Sequence, residues 1–490
     1  MSTILIKNIQ LLDGSGSSPV KADVLIKNDR ISAVEEIINF KADDIIDGKG
    51  NYLTPGFIDV NNRADRYLSL FKDPSQKHFL LDGVTSIIGG QGGISLAPLI
   101  YGSLQTLRAY ADVNKINVNW HSVSEFFETL KKQRLGINFG TLIGHTTVRR
   151  AVIGEPISRN LTQNELRLLN LILKKNMKSG ALGISFDFNN PQTSQASYFE
   201  IKKLAQTAAK EGKILSVNLK DRKEGLIESV KKIIFLAKET GVKIIINEFL
   251  PFVGFEDNYV HAVELIKKNF ANACVYFDIY PSNESFSLLR DFLPEFAKAD
   301  KRETMLENIR NHEIKKKILK NLPQFDGTKM VVINAPSHNY LEGKTLAEFS
   351  QNRNLSVGEG LLKLMEITEF RGEIANQDIN FQKLMEVLTE KCALIASNGN
   401  ILQNQFVFRK FLEIVKKEKI LPIEIAIQKI TFLPAKLLGL KNRGEIKNDY
   451  FADLVIFKED QILEVILNGQ RVVKNGEFQN IKNGKILKRV

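Results

Sequence analysis

Cysteine is scarce in this chain of 490 residues, since only Cys274 and Cys392 occur and they do not form a C-x-x-C pair. That scarcity excludes a disulfide framework and disfavours a zinc ribbon or a thioredoxin-like redox centre. Long apolar runs are also missing, because no stretch approaches the ~18–20 apolar residues that a membrane-spanning helix needs. The sequence does not open with a basic segment followed by an apolar run, so we predict no signal peptide, no membrane association and a cytoplasmic location.

Acidic residues are outnumbered by basic ones, which gives the chain a formal net charge of +12. A basic balance is one mark of a nucleic-acid-binding protein. Here, however, the lysines are scattered through predicted helices with glutamates among them, and the longest basic runs are short, such as KKK at 315–317. We therefore interpret most of this charge as solvated helix faces. Nucleic-acid binding stays a third, less favoured hypothesis, whose mark would be affinity that falls steeply with salt.

Both ends of the chain read as short strands separated by turn residues, with two Asn-Gly hairpin signals near the C-terminal end. We predict that residues 1–54 and 437–490 together form a small β-sandwich. Over residues 55–436 strands alternate with amphipathic helices, which indicates a parallel sheet. The predicted strands are FIDV, SIIGG, TLIGH, LGIS, ILSVN, IIINE, VYFDI and ALIAS. Eight of them suggest an α/β fold with a closed, TIM-like (β/α)8 barrel, and residues 282–391 are long enough for an inserted lid or subdomain.

Polar or small residues follow almost every predicted barrel strand. In a (β/α)8 barrel the carboxyl ends of the strands form the mouth of the site, so these residues are the candidates for chemistry. They are Asn61, Arg63, Gly92, His145, Asp187, Asn218, Glu248, Asp278, Tyr280 and Asn398. Two other motifs have simpler interpretations. GGQGG at 89–93 lacks the third glycine of a dinucleotide loop, and in GKTLAEF the pair Thr345 and Glu348 forms a helix capping box.

Several motifs occur together in a recognisable order: TPGFIDV, GVTSIIGG, GGISLAPL, TLIGH, SGALGIS, FDIYP, GKTLAEF, ASNG and ADLVIF. In this order the chain resembles the amidohydrolase superfamily, and most of all its N-acyl-D-amino-acid deacylase (D-aminoacylase) group, over nearly the whole chain. The resemblance implies a (β/α)8 barrel with a two-ended β-sandwich. It also implies zinc as the cofactor of active members and hydrolysis of N-acyl-D-amino acids.

The residues that the resemblance assigns to the metal centre are replaced in this chain. Asn61 and Arg63 stand for His-x-His, Gly92 for a cysteine, Asn218 and Glu248 for histidines, and Asn398 for an aspartate. Zinc prefers thiolate, imidazole or carboxylate donors, usually three of them from the protein in a catalytic site. Arginine remains cationic, and a neutral amide accepts no proton near neutral pH. The sequence therefore predicts no bound metal cofactor and no catalytic residue in the family sense.

The substrate side of the resemblance is partly retained. Tyr280 and Pro281 keep their places, Lys220 stands where the group has arginine, and Leu250 replaces a lysine. We predict that a ligand would contact Asn61, Arg63, His145, Asn218, Lys220, Glu248, Tyr280 and Asn398. For His145 the alternative, which the sequence favours slightly, is a hydrogen-bonded structural role. We also hypothesise that Arg63 pairs with Glu248, because two unpaired buried charges would be costly.

Two functional hypotheses follow for the chain. The first is a degenerate member of the D-aminoacylase group that acts as a ligand-binding or scaffold protein, as a homo-oligomer or paired with an active homologue. The alternative is an active amidohydrolase that cleaves C–N bonds of N-acyl-D-amino acids with a rearranged site. It would draw ligands from 282–391 or use the carboxylates Asp278, Glu248 and Asp65 without a metal. Asp59, after the first barrel strand, either orients side chains at the site or braces a loop.

Overall fold

The computed structural model describes residues 2–100, 107, 113, 116–154, 159–190, 193, 195–299, 301–399 and 406–489. Its strands are β1 Thr3–Leu11, β2 Val20–Lys27, β3 Arg30–Glu35, β4 Asp44–Asp47, β5 Tyr52–Pro55, β6 Phe57–Asp59, β7 Val84–Gly89, β8 Asn138–Thr141, β9 Ile143–Gly144, β10 Gly183–Asp187, β11 Ile214–Asn218, β12 Lys243–Ile246, β13 Val275–Ile279, β14 Ser285–Leu288, β15 Met330–Asn334, β16 Glu373–Asn376, β17 Ala393–Ile395, β18 Leu454–Lys458, β19 Gln461–Leu467, β20 Gln470–Lys474 and β21 Glu477–Phe478.

The α-helices are α1 Ser69–Lys72, α2 Lys77–Leu80, α3 Val123–Gln133, α4 His145–Ile153, α5 Gln163–Lys178, α6 Tyr198–Lys210, α7 Leu226–Thr240, α8 Glu256–Ala273, α9 Arg302–Arg310, α10 His312–Asn321, α11 Leu346–Gln351, α12 Val357–Ile367, α13 Phe381–Val387, α14 Val407–Glu418, α15 Ile423–Ile430 and α16 Phe432–Leu438. The predicted capping box of Thr345 and Glu348 begins α11, and a second one, of Thr162 and Glu165, begins α5. Each satisfies backbone N–H groups that a helix start leaves without partners.

One nine-stranded sheet is built from both ends of the chain. Its order is β21-β20-β19-β18-β5-β1-β2-β3, with β4 parallel to β1. The antiparallel pairing of β5 with β18 joins the N-terminal strands to the C-terminal ones. Successive side chains of β1 point to opposite faces of the sheet, and both faces are packed. Ile4 and Ile6 lie in one apolar cluster, while Leu5 lies in another with Leu25 and Ile38. The predicted β-domain assembled from two ends is therefore confirmed.

The parallel strands β6 to β13 and β17 form the predicted barrel. β6, β7 and β8 pair in one run, and β9 to β13 followed by β17 pair in another. The break at Leu142 separates β8 from β9, which are one predicted strand. The barrel closes between β17 and β6, where the backbone N–H of Asn398 donates to the backbone carbonyl of Asn61 at 3.0 Å. Inside, apolar side chains from the strands pack against Leu437, Leu438 and Leu487. Beyond this apolar core, polar residues occupy the carboxyl ends of the barrel strands.

Residues 282–391 contain a small subdomain rather than a simple connection. β14, β16 and β15 form an antiparallel sheet, and α9 to α12 pack with it around a separate apolar core. The subdomain reaches the barrel mouth through Glu373 on β16, whose pKa is raised by burial, while the nearby Tyr67 hydroxyl and the Arg63 charge oppose this rise. Whether it moves as a lid stays a prediction. Among the helices of the described residues, none is both long and apolar enough to cross a membrane.

Candidate functional site

The polar strand ends do meet at the carboxyl side of the barrel, and most of them are buried. Asn61, Glu248, Tyr280 and Asn398 are each at most 5% exposed. Asn218 at the end of β11 is half-buried, and Lys220 two residues later is exposed. Buried polar groups need partners, since an unpaired one costs free energy. The arrangement of those partners therefore decides what chemistry the site can do.

Arg63 and Glu248 form the ion pair that the sequence predicted. The Arg63 Nη2 group donates to Glu248 Oε1, and Arg222 Nη1 donates to Glu248 Oε2 at 3.2 Å. Burial alone would raise the pKa of Glu248, but the nearby charges of Arg63 and Arg222 outweigh it and hold that pKa below its ordinary value. Glu248 is thus an ionised carboxylate enclosed by two guanidinium groups.

Asp278 on β13 behaves in the opposite way. Burial raises its pKa to about 8, and the neighbouring Glu248 charge adds to this effect. Its Oδ2 accepts from Asn61 Nδ2 at 3.2 Å, and its Oδ1 accepts from the Glu248 backbone N–H at 2.9 Å. Near neutral pH the Asp278 carboxyl group is therefore mostly protonated. Two adjacent carboxyl groups thus hold different protonation states.

Asp59 closes the ring between β6 and β17. Its Oδ2 accepts from Ser397 Oγ at 2.5 Å and from Asn62 Nδ2 at 2.8 Å, while its Oδ1 accepts from the Ser397 backbone N–H at 3.0 Å. Its side chain is fully buried, and burial raises its pKa. These contacts favour the bracing role of Asp59, because they tie together the loops that carry Asn61 and Asn398.

A chain of amide side chains lies beside the ion pair. Ser216 Oγ donates to Gln91 Oε1 at 2.6 Å, and Gln91 Nε2 donates to the Val60 carbonyl at 2.7 Å. Asn247 Nδ2 donates to Asn218 Oδ1 at 3.2 Å. This network fixes the rotation of the Asn218 amide, so that its Nδ2 group faces away from Asn247. Asn218 is therefore a positioned hydrogen-bond donor rather than a metal ligand.

Arg66 is a functional candidate that the sequence analysis missed. Its Nη2 group donates to the Gln91 carbonyl, and the residue is 7% exposed. A Cβ atom added at Gly92 would lie 2.5 Å from Arg66 Nη2 and 3.6 Å from Asn218 Nδ2. A second guanidinium therefore lies where the resemblance places a cysteine. The signal was present in NNRADR, since Tyr67 N–H bonds the Arg63 carbonyl and this turn brings positions 63 and 66 to one side.

His145 begins α4 and is fully buried. Its Nε2 lies 2.8 Å from Glu200 Oε1 and its Nδ1 lies 3.3 Å from Thr193 Oγ1. Arg149 Nε also donates to Glu200 Oε1, at 3.0 Å. Both ring nitrogens are engaged, which favours the structural role of His145 over ligand contact. Lys220 is not one of the cations paired with Glu248, which are Arg63 and Arg222.

Asn398 and Tyr280 are the predicted residues whose polar atoms stay available. Within the described part of the chain, the Asn398 side-chain amide and the Tyr280 hydroxyl are buried without a hydrogen-bond partner. Asn398 also has a φ of 47°, a left-handed backbone that is uncommon outside glycine. The chain three residues after β17 therefore carries a buried amide on a left-handed backbone.

The residues at the strand ends do not fit a divalent metal. The guanidinium groups of Arg63 and Arg66 lie at positions that the resemblance assigns to metal ligands. The carboxylate of Glu248 is already paired with Arg63 and Arg222. Asn61 and Asn218 offer only amides, and a catalytic zinc usually needs three stronger donors. Over the described ranges, no three His, Cys, Asp or Glu side chains are grouped so that they could hold a metal ion. No step through a metal follows from this donor set.

The chain is similar in sequence to known enzymes over nearly its whole length. No protein-family model matches the chain. The chain is 23% identical to D-aminoacylase of Alcaligenes xylosoxydans xylosoxydans, over 99% of this chain and 97% of that enzyme. It is 22% identical to N-acyl-D-glutamate deacylase of the same organism, over 94% of this chain and 88% of that one.

Solved structures of deacylases share the fold of this chain. N-acyl-D-glutamate deacylase from Bordetella bronchiseptica, crystallised with zinc and a phosphonate inhibitor, superimposes with a TM-score of 0.82 at 20% identity and covers 99% of both chains. A D-aminoacylase structure matches with a TM-score of 0.80 at 22% identity and the same coverage. The fold is therefore the TIM-barrel amidohydrolase fold with a small β-domain. The predicted resemblance to the D-aminoacylase group of that superfamily is confirmed over the full length of the chain.

Proposed function

We propose that this protein is a degenerate relative of the D-aminoacylases, which binds a small-molecule ligand at the barrel mouth, or acts there as a scaffold, without metal-dependent amide hydrolysis. The observation that carries this proposal is the buried Arg63–Glu248 ion pair. A fixed guanidinium repels a second cation and uses the carboxylate that a metal would need. The proteins that the chain is similar to include a D-aminoacylase and an N-acyl-D-glutamate deacylase.

The remaining strand ends support the same proposal. Asn398 stands where the resemblance expects a catalytic aspartate, and its neutral amide cannot take a proton from water. Without a bound metal to lower the pKa of water, the reaction also lacks its nucleophile. Polar groups are nevertheless present at the mouth, where Asn398 and Tyr280 are buried and available for hydrogen bonds. A site that lost all function would have no need of such groups, because burying them is costly.

Metal analysis of the purified protein tests the proposal directly. We expect well under one zinc per chain, before and after incubation with zinc, and no hydrolysis of N-acetyl-D-amino acids with zinc present. The Glu248→Gln variant serves as the control, because it removes the only strong donor among the replaced positions. Stoichiometric zinc in the wild-type protein that disappears in Glu248→Gln would contradict the proposal.

A second candidate, an active metal-free hydrolase, draws support from the carboxyl pair. Glu248 is ionised while Asp278, whose pKa is raised to about 8, carries a proton. Neighbouring carboxyl groups with separated pKa values are the usual basis of acid–base catalysis. If this candidate holds, zinc-free protein hydrolyses an N-acetyl-D-amino acid and the Asp278→Asn variant does not. If neither protein shows turnover, the ligand-binding proposal stands.

A cytoplasmic location and self-association or pairing with an active homologue remain part of the proposal. Cys274 and Cys392 are both free thiols, as expected of a reducing compartment. Cell fractionation tests the location. Size-exclusion chromatography, alone and with an active D-aminoacylase added, tests the two kinds of partner. A single peak at the mass of one chain in both runs would contradict them.

A further inference from the structure

We infer that this protein has a second ligand site, away from the barrel mouth, which binds a small amphipathic anion: a carboxylate joined to an aromatic group. The site is a cavity of about 760 Å³ between the β-domain and the helices α14 and α15. Small-molecule sites have volumes of about 300–1,000 Å³ and often form where two domains meet. The inference does not depend on the proposed function, because the residues that line this cavity differ from those of the mouth.

The strands β5 and β18 give the cavity an aromatic wall. Tyr52 and Phe457 are opposite each other in the antiparallel register of these strands, so their side chains lie on the same face of the sheet. Their ring centroids are 5.5 Å apart with an interplanar angle of 31°. Phe457 is buried and Tyr52 is half-buried, so a ligand can reach the Tyr52 ring. Aromatic rings attract one another in tilted or offset arrangements, and this wall therefore favours an aromatic ligand.

The helices give the cavity an aliphatic wall. It consists of the second half of α14, the loop after it and the start of α15, through the side chains of Leu412, Val415, Ile420 and Ile423. Leu412 and Val415 are one turn apart on α14 and buried, while Ile420 and Ile423 are half-buried. A ligand between the two walls would remove this partly exposed apolar surface from water. That burial is the main source of affinity for an apolar group.

The charged side chains of the cavity are mostly basic. Among the described residues that line it, Lys416, Lys419 and Lys458 stand against one acid, Glu459, which gives a net charge of +2. Lys416 Nζ lies 2.8 Å from Glu459 Oε1, so these two charges largely cancel. Lys419 and Lys458 are exposed and lie outside the ion pairs of the described chain. They are therefore free to attract a carboxylate, and this complementarity favours an anion over a neutral or cationic ligand.

Two amide side chains complete the lining. Gln10 and Asn51 are half-buried, and the Gln10 backbone N–H donates to the Asn51 carbonyl at 2.9 Å, which fixes the two backbones side by side. A few polar groups among apolar walls are what orients a small ligand in its site. A concave cavity with two apolar walls and a positive charge therefore suits a compact amphipathic anion.

Isothermal titration calorimetry with sodium naphthaleneacetate and, separately, with naphthaleneacetamide tests the inference. The two probes share the aromatic group, and only the first carries a charge. We expect one naphthaleneacetate per wild-type chain. The amide should bind at least about fivefold more weakly, because it lacks the attraction of Lys419 and Lys458. The preference for the acid should shrink as salt is added, since both lysines are exposed to screening.

Two variants locate the binding. Tyr52→Ala removes the accessible ring, and Lys419→Gln/Lys458→Gln removes the two charges, so each should bind naphthaleneacetate at least about fivefold more weakly. The lysine variant should also lose the preference for the acid over the amide. Lys417→Gln/Lys474→Gln is the matched control, because it removes two exposed lysines that do not line the cavity. Its affinity should equal wild type, which separates a local contact from the change in net charge.

Three results would overturn the inference: no binding of naphthaleneacetate, equal affinity for the acid and the amide, or binding that both variants retain. The last result would place the probe elsewhere, the barrel mouth included. If Tyr52→Ala fails to fold by circular dichroism, the exposed lysine variant decides. A wild-type dimer on size-exclusion chromatography that Tyr52→Ala converts to a monomer would assign the cavity to a second copy of the chain, which also overturns the inference. None of these variants changes a residue of the mouth, so each outcome leaves the proposed function to its own test.

Discussion

Removing Arg63 is the sharpest perturbation of the site. The Arg63→Met variant keeps much of the side-chain volume but leaves Glu248, whose side chain is 6% exposed, without its main partner. Breaking a buried pair from one side costs about 3–5 kcal/mol. Arg222 remains bonded to Glu248, but it is 35% exposed and solvent screens its charge, so it offsets only part of this loss. We expect about 2–4 kcal/mol less free energy of unfolding in Arg63→Met.

The pH dependence of this loss has a definite sign. Because the pKa of Glu248 is held below its unfolded value, the ionised carboxylate contributes stability above that unfolded value, about 4.3. The contribution disappears as pH falls through the lower, folded pKa. The difference between wild type and Arg63→Met should therefore be full at pH 7. It should shrink as the pH falls below about 4, where Glu248 is protonated in the variant.

Urea unfolding followed by circular dichroism at several pH values measures both effects. The double variant Arg63→Met/Glu248→Leu removes both charges, and we expect it to recover most of the loss, since replacing a whole buried pair is often neutral. Lys231→Met is the matched control, because its pair with Glu228 is more than half exposed and solvent screens it, so that it should contribute little to stability. A single variant no less stable than the control, or a double variant worse than Arg63→Met, would refute the reasoning.

Three further predictions concern neighbouring groups. Because the folded pKa of Asp278 is about 8 and its unfolded value lies near 4, Asp278 contributes a loss of stability as pH rises between these values, and Asp278→Asn should reduce the slope of stability against pH in urea unfolding; an unchanged slope contradicts the raised pKa. His145→Ala should lower the melting temperature by several degrees, since its buried ring bonds Glu200 rather than a group at the mouth; an unchanged melting temperature would contradict this structural role. Asp453→Ala should cost about 3–5 kcal/mol, because it leaves the buried Arg443 guanidinium without its carboxylate and breaks the 3.0 Å bond from Asn138 on β8; a loss near zero on urea unfolding would show that this link is dispensable.

The barrel and the ion pair were predictable from the sequence for physical reasons. Strand–helix alternation requires a parallel sheet, and parallel strands bring their carboxyl ends to one edge. Two opposite charges placed at that edge, Arg63 after β6 and Glu248 after β12, have to meet or remain unpaired. The pairing then follows from the cost of burying an isolated charge, without knowledge of any distance.

Other parts of the site depend on loop geometry that periodicity does not encode. Arg66 reaches Gly92 because the chain turns after Arg63, and Arg222 reaches Glu248 from the loop after β11. The pattern of strand ends instead favours Lys220, which is exposed in the structure. The contact between Asp278 and Asn61 was not predictable either, since spacing along the chain gives no information about neighbours on different strands.

The pairing of β5 with β18 has a consequence for how this protein is made. Residues 52–55 leave the ribosome long before residues 454–457, so the N-terminal strands wait with an open edge while the barrel is still being synthesised. The same holds for the barrel interior, which Leu487 helps to fill at the amino ends of the strands. A nascent chain of this protein therefore cannot complete either domain early, and we expect it to depend on chaperones during translation more than a protein whose domains are contiguous.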